Sequence, residues 1–214
     1  MGRLLIHVEG ETERQFADEL LRDFLVERGY FTVDARLHGN ARQKSHRGGG
    51  RAWEGVKREI LRHLRGDDGL IVTTMVDFYG MPPNWPNRVG ATGPTQIEAA
   101  MAKEIGSGRF LPFVMMHEFE ALLFSDCATF CRSIEQVGIE PQLSRIRAKF
   151  ASPEKINDSP HTAPSKQILQ LMPGYQKPLD GVNAARAIGL ERMRAECPHF
   201  NDWLERLVAL RAQL

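Results

Sequence analysis

Three carboxylates stand where apolar runs end. Glu9 closes RLLIHVE (3–9) and precedes Gly10, which lets the backbone turn. Asp77 closes GLIVTTMVD (69–77) and precedes Phe78, Tyr79 and Gly80. Glu118 follows RFLPFVMM (109–116) and His117, with Glu120 beside it, and Glu13 falls in the first turn of the segment after Glu9. If the runs are strands of an open parallel sheet, these acids gather beyond the carboxyl ends, where such sheets bind ligands. Clustered carboxylates raise one another's pKa unless a cation compensates. Hard oxygen donors in that position suit Mg²⁺ or Mn²⁺.

Some of these acids have a second explanation. An acid in the first turn of a helix stabilises the macrodipole, typically by about 0.3–1 kcal/mol, and Glu11 and Glu13 fit that role. Glu118 and Glu120 do not share a helix face, whereas His117 and Glu120, three apart, do. One of the two glutamates therefore faces the site, and Glu120 is preferred. A basic stretch adds to the picture. From Ala35 to Trp53 there is no acid, but Arg36, Arg42, Lys44, Arg47 and Arg51 occur with His38 and His46, and Gly48, Gly49 and Gly50 follow. Such a segment suits phosphate contacts on a nucleic acid, with Arg42, Lys44, Arg47 and Arg51 as the contacts, and its glycines predict mobility over 39–51. A solvated charged loop would have the same composition. Nothing matches GxxxxGK[ST] or a helix-opening GxGxxG, so ATP hydrolysis by this chain alone is not expected. His7, His117, His161 and His199 lack zinc-site spacing, and Ser165 has no visible His–Asp partner.

The elements that must position these residues are readable from periodicity. Apolar positions recur at helical spacing over 12–28, where Thr12 and Gln15 fit a capping box and Gly29 ends the run. YFTVDARL (30–37) reads as a second strand, 53–65 and 95–105 as helices, and 80–94, with four prolines and three glycines, as a loop. HEFEALLFSD (117–126) opens a helix. The alternation of strand and helix predicts an α/β fold, a mostly parallel sheet flanked by helices. After residue 126 the chain reads as helices at about 127–137, 140–150, 164–172, 182–195 and 199–213. The expected organisation is a core over 1–126 and a helical C-terminal extension over 127–214 packed on it. Hydrophobic residues make up 42% and charged residues 26%, with a net charge of +1, so bulk charge names no partner. No apolar run approaches the ~18 residues of a membrane span. Three cysteines, Cys127, Cys131 and Cys197, form no CxxC pair and read as reduced thiols of a cytoplasmic protein.

Motifs along the chain carry a family resemblance. HVEGETE (7–13) resembles the first motif of Toprim domains, and TTMVDFYG (73–80) is placed like their Asp-x-Asp motif. VEGETE, VDFYG, HEFEALLFSD, EKIND with TAPSK, and AIGLERMRAECPHFNDWL resemble the bacterial domain-of-unknown-function family 4276, which is regarded as Toprim-like. Overcoming-lysogenization-defect nucleases are distant relatives by this resemblance. It implies Mg²⁺-dependent phosphoryl transfer, with Glu9 as a metal ligand or general acid/base and Asp77 as the first aspartate. Tyr79 replaces the second, and a tyrosine supplies no anionic oxygen at neutral pH. A cation must stabilise charge on the phosphate; Lys166 in TAPSKQI is the favoured candidate and Lys155 the second. The reading is therefore a nuclease on DNA or RNA, with Glu9, Asp77 and Lys166 catalytic and the metal held among Glu9, Glu13, Asp77, Glu118 and Glu120. The resemblance also implies a separate ATPase partner in an anti-phage or plasmid-defence system; self-association is compatible with the sequence. The rival reading is a non-catalytic interaction or sensor subunit of an ATPase complex, and a third is a small-nucleotide phosphotransferase or hydrolase with the basic loop as a lid.

Overall fold

Alternation of Leu4, Ile6 and Val8 with Leu5 and His7 makes residues 3–8 a strand with two different faces. The computed structural model, which describes residues 2–38, 51–156 and 162–213, shows how those faces are covered. Two compact units make up the chain, Met1–Met115 with Glu205–Leu214, and Met116–Leu204. The expected division after residue 126 therefore moves. Residues 116–126 join the second unit because their run is helical and packs there, and 205–214 return to the first.

In the first unit, strand β1 (Arg3–Val8) leads into helix α1 (Glu11–Phe16), a π-helical turn (Ala17–Leu21) and helix α2 (Arg22–Glu27). The expected single helix over 12–28 is thus interrupted in its middle. Its start is not a capping box: Gly10 is the N-cap without a side-chain bond, and Thr12 is buried inside the helix. Gly29, at φ +98°, ends the run and donates its N–H to the Val26 carbonyl. Strand β2 (Thr32–Leu37), helix α3 (Trp53–Gly66), strand β3 (Leu70–Asp77), helix α4 (Pro94–Ile105) and the two-residue strands β4 (Phe110–Leu111) and β5 (Val114–Met115) follow.

Every strand pair is parallel, in the order β2-β1-β3-β4, with β5 also on β3. β3 is central and buried along all but its first residue, as expected where both faces are covered. On one face Trp53, Val56, Ile60 and Leu64 of α3 and Ile97, Met101 and Ile105 of α4 pack on Val72, Val76, Phe110 and Val114; each such burial contributes about 1.5–3 kcal/mol. The expected continuous strand over 109–116 is split because Pro112 has no N–H to give the ladder. The Thr74 hydroxyl fills the gap, donating to the Phe113 carbonyl and accepting the Phe113 N–H, both at 3.0 Å.

In the second unit the segment after Glu118 is a 3₁₀ helix (Phe119–Asp126) rather than an α-helix, and α5 (Cys127–Ser133) begins where Asp126 accepts the Thr129 N–H at 2.9 Å. A 3₁₀ turn (Val137–Ile139), α6 (Glu140–Arg147), a 3₁₀ turn (Pro153–Lys155), α7 (Pro164–Leu171), a π-helical turn (Lys177–Gly181), α8 (Val182–Ile188), α9 (Leu190–Glu196) and α10 (Pro198–Arg211) complete the chain. The expected helix over 182–195 breaks at Gly189, whose φ is +80°. Cys127, Cys131 and Cys197 are buried free thiols, and burial raises all three pKa values. Among the described residues no helix is long and apolar enough to cross a membrane.

Candidate functional site

β1 and β3 are neighbours in parallel register, with Val8 opposite Met75. Glu9 therefore leaves β1 at the level where β3 runs through Val76 to Asp77, and both acids stand at the same end of two adjacent strands. Glu9 is half-buried and Asp77 buried. The Glu9 carboxylate lies directly over Gly80, on the space a Cβ there would take. A side chain at position 80 would have to displace the end of the Glu9 side chain. Glu13, the third residue of α1, is buried and folds back over the helix N-cap, its Oε2 2.7 Å from a Cβ built on Gly10. That placement fits an acid supporting a helix N-terminus.

One side-chain oxygen of each buried acid, Glu13 Oε1 and Asp77 Oδ1, accepts no hydrogen bond, although both residues keep other interactions. The donor set is all carboxylate. Among the described residues no group of three or more His, Cys, Asp or Glu is placed to hold a metal ion. Mg²⁺ needs no such cage, since it is commonly bound through one or two carboxylates with waters and substrate phosphates. Glu9 and Asp77 fit a site of that kind.

Sequence reasoning missed a cation here. The Arg88 guanidinium sits 3.7 Å above the ring of Phe78, the residue after Asp77, and its Nε is buried without a hydrogen bond. Burial lowers its pKa, and Tyr79 opposes that shift. A proline- and glycine-rich loop returning beside a strand-end acid was the available signal.

Missed too was a histidine cluster. His7 lies 5.4 Å from His38 and 5.6 Å from His63, ring centre to ring centre. Both ring nitrogens of His7 and His38, and Nε2 of His63, are buried without hydrogen bonds. Burial, then the neighbouring His38 and His63, pushes His7 down to about 3; burial and Arg51 push His38 down to about 3. His63 is lowered as well, first by burial.

The remaining expected site residues belong to the second unit and have partners there. Glu118 Oε2 accepts the Ser165 N–H at 3.0 Å, so it caps the first turn of α7. Glu120 is fully buried and its Oε2 is 3.1 Å from Lys177 Nζ. Burial raises its pKa and Lys177 pulls it down. Lys166, in the first turn of α7, and Lys155 are exposed. Arg42, Lys44 and Arg47 of the basic stretch lie outside the described residues, as does most of the segment expected to be mobile. Arg51 is described, exposed, and ion-paired with Glu59 at 2.8 Å.

A family model described as "Domain of unknown function (DUF4276)" matches residues 8–208, and the chain belongs to that family. Comparison with curated proteins and with solved structures gives no match.

Proposed function

We propose that this member of the DUF4276 family is a Toprim-like, Mg²⁺- or Mn²⁺-dependent nuclease hydrolysing phosphodiesters of DNA or RNA. The observation that carries the reading is the pairing of Glu9 and Asp77 at the ends of adjacent parallel strands, with Gly80 making room for the Glu9 carboxylate. When bound, the metal would activate water and offset phosphate charge. Glu9 and Asp77 would hold it, and Glu9, the less buried of the two, would accept a proton from the attacking water. Arg88, anchored on Phe78, would face the developing phosphate charge as a guanidinium suited to bidentate contact. Glu118 and Glu120 are committed to Ser165 and Lys177, so the proposal rests the metal on the first unit's acids. Lys166 and the basic stretch at Arg42, Lys44, Arg47 and Arg51 stand as proposed cations for mutagenesis. Nucleic acid as substrate, a separate ATPase partner, a defence role and a cytoplasmic setting follow from the resemblance; three buried free cysteines support a reducing compartment.

The second reading, a non-catalytic interaction or sensor subunit, is favoured by Tyr79, which stands where the Toprim motif has its second aspartate. One experiment separates the two. Labelled DNA and RNA are incubated with the full chain in Mg²⁺ or Mn²⁺, and Mn²⁺ binding is measured calorimetrically. The nuclease reading expects metal-dependent cleavage that Asp77→Asn lowers by about 10²–10³-fold, with weaker Mn²⁺ binding and an unchanged or higher melting temperature in chelator, since repulsion among acids is relieved. No Mn²⁺ binding and no cleavage by a folded wild type moves the assignment to the interaction subunit. A large drop in melting temperature with unchanged Mn²⁺ binding makes Asp77 structural.

A further inference from the structure

The second unit holds a cavity of about 330 Å³, walled by the end of the 3₁₀ helix, the start of α5, α6 and α9. Small-molecule sites run to roughly 300–1,000 Å³, so this one suits a metabolite. Helical spacing assembles two of its walls. Glu140, Ser144 and Arg147 recur at i, i+4 and i+7 on one face of α6, and Arg192 and Glu196 at i and i+4 on α9. The α9 side is positive. Glu196 meets Arg147 Nη2 with one oxygen at 2.8 Å and Arg192 Nη1 with the other at 3.2 Å, so two guanidinium groups share one carboxylate. Asp126 is committed as well: it accepts the N–H and the hydroxyl of Thr129, both at 2.9 Å. Burial opposes its ionisation, but those bonds and then Arg192 and Arg132 hold its carboxyl below its ordinary value. With Arg132 counted, three guanidinium groups stand against two carboxylates there. Arg192 also gives its Nε to the Ser125 carbonyl at 3.1 Å, and among the described residues its Nη2 has no partner.

Glu140 is the opposite case. Its Oε1 accepts the Ser144 hydroxyl at 2.7 Å, and among the described residues no cation pairs with it. It is half-buried, so water screens its charge only in part. Most of the remaining lining is apolar: Phe124, Cys127, Ala128 and Ala148. Burial pushes the Cys127 thiol up to about 11, so it is uncharged at neutral pH and belongs with that surface. We propose that this cavity binds a small zwitterion, an ammonium and a carboxylate carried on an apolar body, with the ammonium on Glu140 and the carboxylate on Arg192. A simple anion would meet Glu140 as a like charge, and a simple cation would meet Arg192 as one; a zwitterion answers both. The contact with Arg192 uses its Nη2, so the ion pair with Glu196 is kept. This site shares no residue with the Glu9 and Asp77 pair, which lies in the first unit.

The test is calorimetric titration of the full chain at low salt, with circular dichroism to establish folding. Two zwitterions are the probes: L-leucine, with both charges on one carbon, and 6-aminohexanoate, with them at opposite ends of a chain. Hexanoate and hexylamine are the single-charge analogues. At least one zwitterion is expected to bind with a Kd of about 0.1–1 mM, and the analogues about tenfold more weakly or worse. Glu140→Gln keeps an oxygen for the Ser144 hydroxyl and removes the charge. It should weaken the zwitterion about tenfold and abolish its advantage over hexanoate. Arg192→Gln, at a side chain 52% exposed, should weaken it similarly and abolish its advantage over hexylamine. The ratio of affinities is the reading, because support of the α6 start by Glu140 would move melting but not that ratio. A folded wild type that binds neither zwitterion at about 10 mM overturns the proposal. So do equal affinities for zwitterions and analogues, and so do ratios that both variants leave unchanged.

Discussion

The strand-end acids of the first unit and the buried acids of the second stand in different settings. Among the described residues of the second unit, buried and half-buried acids have structural partners: Glu118 takes the Ser165 N–H, Glu120 meets Lys177, and Glu154 takes the N–H groups of His199 (3.0 Å) and Phe200 (2.8 Å) at the start of α10. In the first unit Glu9 and Asp77 stand at strand ends, and the neighbouring backbone has yielded space to a carboxylate at Gly80. Residue type is the same in both; what differs is the place in the fold, a strand end in one and a helix start or buried lysine contact in the other. A carboxylate answered by a backbone N–H or an ammonium is part of the architecture.

Acidification should sharpen this contrast most. Burial holds His38 near 3 in the folded first unit, against about 6.5 unfolded. Above pH 6.5 both states are neutral and nothing is lost; below it the unfolded chain takes up a proton that the folded one refuses. First-unit stability therefore falls between pH 6.5 and about 3, by up to about 1.4 kcal/mol per pH unit. Burial raises Glu120 and Glu154 instead. Their contribution is full below the ordinary carboxylate value and declines as pH rises through their raised values. Hydrogen exchange resolved by peptide should thus show residues 2–38 and 51–115 opening first on acidification. Uniform opening of both units would break the comparison.

Next in size is Glu154→Ala. It strands two backbone N–H groups of α10 and should cost about 2–3 kcal/mol, seen as a lower denaturation midpoint in urea. A loss under 0.5 kcal/mol would show that Glu154 is not structural.

Gly80→Ala tests the first unit from the other side. The added methyl has only the flexible end of Glu9 to displace. Stability should barely change, while Mn²⁺ affinity falls about tenfold, or about 1.4 kcal/mol. Unchanged calorimetric affinity would remove Glu9 from the metal set. The smallest effect is expected for Glu13→Gln. If it serves only the helix N-terminus, melting loses about 0.3–1 kcal/mol and Mn²⁺ binding is untouched.

Much of the fold was legible because apolar periodicity is local. β1, β3, α3 and α4 follow from runs of Leu, Ile, Val and Met whose spacing suits one element each. The places where reading failed are set by single residues with non-local consequences. Pro112 splits a strand whose gap Thr74 closes from a neighbouring strand, and Gly189 divides a run that reads as one helix. At the site, Glu9 and Asp77 could be placed because each ends its own strand. The partners of Glu118 and Glu120 could not, because Ser165 and Lys177 lie far along the chain. The histidine cluster was invisible for the same reason: His7, His38 and His63 have no common spacing, and only the sheet and α3 bring them together.

The last helix carries a consequence for the order of assembly. α10 runs from Pro198 to Arg211 without a break, yet from Glu205 onward its residues belong to the unit that begins with β1. There Tyr30, just before β2, donates its buried hydroxyl to the Leu207 carbonyl at 2.8 Å, and Arg211 donates to the Gly29 carbonyl. The sheet unit is therefore discontinuous in the chain. On a ribosome its strands emerge first, but Tyr30 has no acceptor until residues beyond 204 have been made. The intervening helical unit can close on its own contacts in the meantime. Synthesis from one end and completion from the other give the nascent sheet a waiting period with its edge strand only partly secured, the interval in which long-range β pairing is most exposed to misassembly.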